Sequence, residues 1–120
     1  MANLYQKGDH DTRPWGTWEV LDGGETFCVK RICVKPKSQL SLQLHHFRNE
    51  HWIIIKGIAK VTLGDNIIDV RQDDAVYIAK ETKHRIENPT DEPMEFIEIQ
   101  TGDNLDENDI VRFEDIYGRV

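Results

Sequence analysis

Short apolar or alternating runs follow one another along the chain, separated by turn signals, and a period of two prevails over the helical period. Phe27 to Lys35 (FCVKRICVK) is rich in β-branched residues and stops at Pro36. Leu40 to Leu44 alternates, and His51 to Ile55 is a dense apolar run ending near Gly57. Ile58 to Leu63 leads into Gly64-Asp65-Asn66, which reads as a tight hairpin turn with Ile67 to Val70 as its returning strand. Ala75 to Ala79, His84 to Glu87 and Met94 to Gln100 follow, with Asn88-Pro89 and Glu92-Pro93 marking the breaks. The pattern predicts about eight short strands and no long segment of helical period before Asp103. An all-β sandwich or jelly roll follows, because closing the sheets leaves few exposed edges. The acidic stretch from Asn104 to Tyr117 is expected to hold a short helix or remain irregular, with Asp106 or Asn108 as a cap. Residues 1–12 read as a polar arm ahead of a single domain over 13–120.

Composition narrows the partners. The 120 residues suffice for one core. With 15 Lys+Arg against 22 Asp+Glu the net charge is −7, which argues against nucleic acid, whose phosphates need clustered positive charge. Ten of the 22 acids fall between Asp91 and Asp115, where Arg112 is the only base, so the rest of the chain is close to neutral. An anionic small molecule therefore fits if those other bases converge on a pocket. No apolar stretch approaches the roughly 20 residues that span a bilayer. The opening MANLYQKGDHDTR has no apolar core for a signal peptide, so the expectation is a cytoplasmic protein with no membrane partner. Cys28 and Cys33, on opposite faces of one strand, read as reduced thiols.

The chemistry concentrates in Gln43-Leu44-His45-His46-Phe47-Arg48-Asn49-Glu50-His51-Trp52, which holds three of the five histidines; a fourth, His84, opens a later strand. Strand parity puts Gln43 and His45 on one face and His46 on the other. If Glu50 and His84 reach the same cavity, then Gln43, His45, Glu50 and His84 form a mixed N/O set suited to a divalent metal with positions open to substrate. The alternative is a group of surface or hydrogen-bonded histidines. Against that alternative, such a polar cluster directly before a strongly apolar strand is costly unless something coordinates it.

Glu50 followed by six residues and Gly57, and then His84 with Asn88 four residues on, resemble the two short motifs of the cupin superfamily. More narrowly, RPWG at Arg13 to Gly16, VKRI at Val29 to Ile32, the LSLQ run ending at Gln43, Arg48, EHW at Glu50 to Trp52, HRIENP at His84 to Pro89 and DIVRFEDIYGR at Asp109 to Arg119 are similar to type II phosphomannose isomerase. The resemblance implies a cupin double-stranded β-helix and a metal-dependent aldose–ketose isomerase that interconverts mannose 6-phosphate and fructose 6-phosphate through an enediol. In that family the cupin domain is often fused behind a mannose-1-phosphate guanylyltransferase domain. No such domain precedes residue 13 here, so the expectation is the isomerase half standing alone, making no nucleotide sugar.

The reaction needs a metal to polarise carbonyl and hydroxyl, a group to move a proton between C1 and C2, and cations to hold the phosphate. The resemblance assigns the metal to His45, Glu50 and His84 with Gln43 as the fourth ligand. The ion is one of Zn, Mn, Fe, Co or Ni. His51 and Glu98 are the two candidates for proton transfer. Arg13, Arg31, Lys35, Arg48 and Arg119 are candidates for the phosphate, each with a solvated surface charge as the alternative. The family pattern has histidine where this chain has Phe47, Pro and Gly where it has Ala79 and Glu81, and Gly where it has Lys37. Two further readings are a cupin that binds a sugar phosphate without turning it over and, more remotely, metal-dependent oxygen chemistry. A homodimer is the expected assembly.

Overall fold

In the computed structural model, which describes residues 4–118, twelve strands form: β1 (His10–Arg13), β2 (Gly16–Gly23), β3 (Phe27–Val34), β4 (Ser38–Gln39), β5 (Leu42–Leu44), β6 (Asn49–Lys56), β7 (Ile58–Leu63), β8 (Asn66–Arg71), β9 (Ala75–Ile78), β10 (His84–Asn88), β11 (Met94–Thr101) and β12 (Val111–Glu114). They make two antiparallel sheets. One runs β1-β2-β3-β11-β6-β9, and the other β12-β5-β10-β7-β8 with β4 also paired to β10. The eight expected strands are all present, and β1, β2, β4 and β12 are additional. No helix occurs among the described residues, hence none long and apolar enough to cross a membrane.

Alternation sets what each strand contributes to the space between the sheets. On β11 Met94, Phe96, Glu98 and Gln100 are buried while the residues between them are half-buried, and on β6 Glu50, Trp52 and Ile54 turn inward. The apolar core is built from Trp15, Ile32, Trp52, Ile54, Ile86 and Phe96, with further valines and isoleucines around them. That core occupies one end of the sandwich. The polar inward residues Glu50, Glu98 and Gln100 therefore collect toward the other end, where a cavity opens.

Three segments add to what the pattern predicts. The polar arm ends early, because His10–Arg13 forms β1 against β2 with Arg13 opposite Gly16. β2 itself escaped the pattern, since its alternation slips between Val20 and Asp22 where the register against β3 shifts. Of the two forms expected for Asn104 to Tyr117 the irregular one is found, interrupted by β12. The side chains of Asn104 and Asp106 accept the amides of Asp106 and Asn108 in local turns, and Val111–Glu114 then finds its backbone partners on β5.

Glycine is required at two motif positions. A Cβ on Gly16 would overlap the Cys33 carbonyl oxygen, so RPWG ends in the residue that lets β2 pass close to β3. At Gly57, where φ is +86°, a Cβ would stand 2.9 Å from that of Met94. Lys37 and Glu81, which replace family glycines, nevertheless keep left-handed backbones at φ 54° and 70°. The Lys37 amide donates to Thr90 O and the Glu81 amide to His45 O, and these bonds hold the turns on their path.

Candidate functional site

Histidine 45 lies just past β5, Glu50 on β6 and His84 at the start of β10, so the group joins both sheets. All three are buried, and one ligand atom from each lies within 4.8 Å of the others. The hydrogen bonds fix the imidazole tautomers. His45 Nδ1 lies 2.6 Å from Asp109 O and His84 Nδ1 2.8 Å from Thr82 O, and since a carbonyl only accepts, each Nδ1 carries the proton. Each Nε2 then carries the lone pair, that of His84 without a partner and that of His45 accepting from Arg48, in the arrangement by which outer hydrogen bonds orient metal-ligating histidines.

The electrostatics agree with a cation at this point. Burial pushes Glu50 up, but the Arg48 guanidinium bonded to it overrides burial and holds the carboxyl well below the usual range. Burial lowers His84 despite the attraction of Glu50, which keeps the imidazole neutral. His84 Nε2 has no hydrogen-bond partner although it is buried, and it stands 3.9 Å from Glu50 Oε1. His45 Nε2 stands 3.1 Å from Glu50 Oε2. An unpartnered imidazole nitrogen and two converging acceptor atoms fit a divalent ion. Gln43 is the direct cross-strand neighbour of His84 and lines the same cavity as His45.

Around Glu50 the remaining bonds come from Trp52 Nε1 to Oε1 at 3.0 Å and Arg48 Nε to Oε2 at 2.9 Å. A terminal nitrogen of Arg48 also lies 3.1 Å from His45 Nε2. The cavity beyond has a volume of about 340 Å³, enough for a small ligand. Glu98 faces it from β11, 6% exposed, with Oε1 accepting from Gln100 Nε2 at 2.6 Å. Burial and the nearby Glu50 raise the Glu98 carboxyl, against the pull of Lys30 and Arg48.

The other expected site residues divide sharply. Arg13 reaches the cavity rim, paired to Asp11 at 3.2 Å. Arg48 is inside and lines the cavity, with Nε and one terminal nitrogen bonded to Glu50 and His45. His51 points out of the site: it adjoins Glu50 on β6, so alternation turns it to the outer face, where its ring lies 4.8 Å from that of Tyr77. Arg31 is likewise on the outer face of β3, ion-paired with Glu95, and Lys35 is exposed just beyond that strand. Arg119 lies outside the described residues. Phe47 is 54% exposed, so its side chain leaves the cavity and its position is not a vacated ligand site.

Two groups were missed. Lys30, one residue before Arg31, faces the cavity and is buried, a placement that strand parity with Cys28 and Ile32 would have given. Asp109 accepts the amides of His46 and Phe47 at 2.9 and 3.0 Å while its carbonyl holds His45. No periodic signal could place it, since it lies in a turn.

Two facing antiparallel sheets with a buried His-Glu-His group beside the cavity define a cupin. The cupin-2 domain of Rru_A2000 from Rhodospirillum rubrum has the same fold, with a TM-score of 0.70 at 21% identity over 84% of this chain and 75% of that one. The family model for the mannose-6-phosphate isomerase C-terminal domain matches residues 2–115, and the chain belongs to that family. Among relatives, the xanthan biosynthesis protein XanB of Xanthomonas campestris pv. campestris is 51% identical over 108 residues, covering 90% of this chain and 23% of XanB. The mannose-1-phosphate guanylyltransferase ManC of Salmonella typhimurium is 45% identical over 108 residues, 90% of this chain and 22% of ManC. The chain thus spans about a quarter of the length of the curated relatives it matches.

Proposed function

We propose that this domain is a metal-dependent aldose–ketose isomerase acting on mannose 6-phosphate and fructose 6-phosphate. The observation that carries the reading is the buried, unpartnered Nε2 of His84 converging with Glu50 and His45 beside a cavity that also holds a buried carboxyl, Glu98. His45, Glu50 and His84, with Gln43, would hold one divalent ion. When bound, the ion supplies Lewis-acid polarisation of the carbonyl and its neighbouring hydroxyl. Glu98 is the group that moves the proton between C1 and C2, because it is the inward carboxyl outside the ligand set and its raised proton affinity brings it closer to working pH. Trp52 and Arg48 fix the Glu50 carboxylate, so the ligand set is oriented before substrate arrives.

One observation favours a second reading. The Arg48 guanidinium already bonds Glu50 and His45, which would let the site stand without an ion and bind a sugar phosphate without turnover. A single experiment separates the two. Metal content is measured on protein purified without added metal or chelator, and fructose 6-phosphate formation is then followed with Mn, Co, Zn and Fe restored in turn. Metal near one per chain and metal-dependent turnover, lost in His84→Ala and reduced about 100-fold or more in Glu98→Gln, is the expected result. Turnover that survives chelation, or none with any ion, overturns the isomerase.

A further inference from the structure

Lys30 is 6% exposed and lies on the inner face of β3, with Val20 and Glu98 as its cross-strand neighbours. Its Nζ stands 3.5 Å from the centre of the Tyr5 ring and 4.7 Å from that of Trp18, and the two rings meet edge to face at 5.4 Å. Among the described residues this ammonium has no hydrogen bond and no ion pair, although it lines the cavity. The aromatic faces attract the charge from two sides but do not replace the strong acceptors that three N–H donors need. The stem is buried and the ammonium opens on the cavity, so an anionic ligand entering it meets a charge that the two rings already hold in place.

Three other cations line the cavity: Arg48, whose Nε and one terminal nitrogen bond Glu50 and His45, Arg13, which pairs with Asp11 at the rim, and Arg112 on β12. We propose that Lys30, held in place by Tyr5 and Trp18, is the anchor for the anionic group of the cavity's ligand, the phosphate of a sugar phosphate. The identity of that ligand rests on the isomerase reading; the anion site itself rests on the caged ammonium. Anchoring the phosphate here positions the sugar chain toward the His-Glu-His group and makes Lys30 a determinant of specificity for phosphorylated over free sugars. Of the five cations expected from the sequence, Arg31 and Lys35 face solvent and do not enter the cavity, whereas Arg13 and Arg48 line it.

The test uses Lys30→Met, which keeps the stem against the rings and removes the charge, with Lys30→Gln as a second variant and Lys30→Arg as the conservative one. Thermal shift with inorganic phosphate is read alongside KM and kcat for mannose 6-phosphate. The expected result is a rise in KM of about 10- to 100-fold with kcat within about threefold, as for loss of a hydrogen bond to a charged group. Inorganic phosphate should stabilise the parent chain, and that stabilisation should vanish in Lys30→Met and Lys30→Gln and return in part in Lys30→Arg. A parent chain that responds to phosphate only through Lys30 but shows no turnover would overturn the isomerase and leave the anion site standing. An unchanged KM and phosphate response in both neutral variants overturns the anchor while leaving isomerisation intact. A fall in kcat at constant KM also overturns it, because Lys30 would then act on Glu98 instead.

Discussion

Burial pushes the Cys28 thiol up to about 11, against the opposing influence of Lys30. The folded state therefore prefers the neutral thiol, and its stability depends on pH with a definite sign. Below about pH 8 both folded and unfolded chains carry the proton and the group contributes no pH dependence. As pH rises from 9 toward 11 the unfolded chain ionises first, and stability on the order of 2 kcal/mol is lost. Thermal unfolding across this range should show a steeper fall for the parent chain than for Cys28→Ala, whatever the offset between them. Cys33, also raised by burial and by donating to Glu95 Oε1 at 3.0 Å, faces the other side of β3, so the two thiols do not pair, as their parity foretold. Parity was the most informative residue-scale signal and also the one most easily misapplied. It separates Lys30 from Arg31 and Glu50 from His51, adjacent pairs with opposite surroundings. Arg31, expected at the phosphate for its planar fork, is the outward member of the first pair.

Strands whose apolar alternation is unbroken were legible with nearly their final bounds, and the hairpin at Gly64-Asp65 closes β7 on β8 with Leu63 opposite Asn66. The elements that were not legible owe their form to partners distant in the chain. β12 is an example: its residues are half polar, and it is a strand because β5 offers an open edge. The consequence for the site is direct, since Asp109, just before β12, grips the loop that carries His45 at three points. The two carboxylate bonds accept backbone amides and are charge-assisted, whereas the third comes from the main chain and survives substitution. Asp109→Ala should lower stability by about 1–3 kcal/mol, from the two amides left without their acceptor. It should also weaken metal binding about 10- to 100-fold, because the loop that aims His45 loosens. Asp109→Asn, which retains an acceptor, should fall between. Metal titration of the folded variants, run beside thermal unfolding, checks both effects; full affinity in Asp109→Ala would mean that the backbone carbonyl alone orients the imidazole.

Across the whole molecule the proposed ligands come from both sheets: Glu50 from the first, Gln43 and His84 from the second, and His45 from the segment that follows β5. An ion held by them would tie the sheets together at the open end of the sandwich, opposite the packed core. Stability should then respond to the metal as a linked equilibrium, with about 2.7 kcal/mol gained when free ion reaches a hundredfold excess over Kd. For a domain of this size that is a rise in Tm of roughly 10 °C, continuing with the logarithm of metal concentration. Chelator should reverse it, and His84→Ala should abolish most of the response. The buried Arg48 sets the baseline, since its bonds to Glu50 and His45 stabilise the ligand atoms before any ion binds. Arg48→Met would remove that support and leave Glu50 with less compensation, lowering the Tm of the metal-free chain by more than that of the metal-loaded one. A Tm indifferent to metal in the parent chain would instead identify Arg48 as the cation the site was built around.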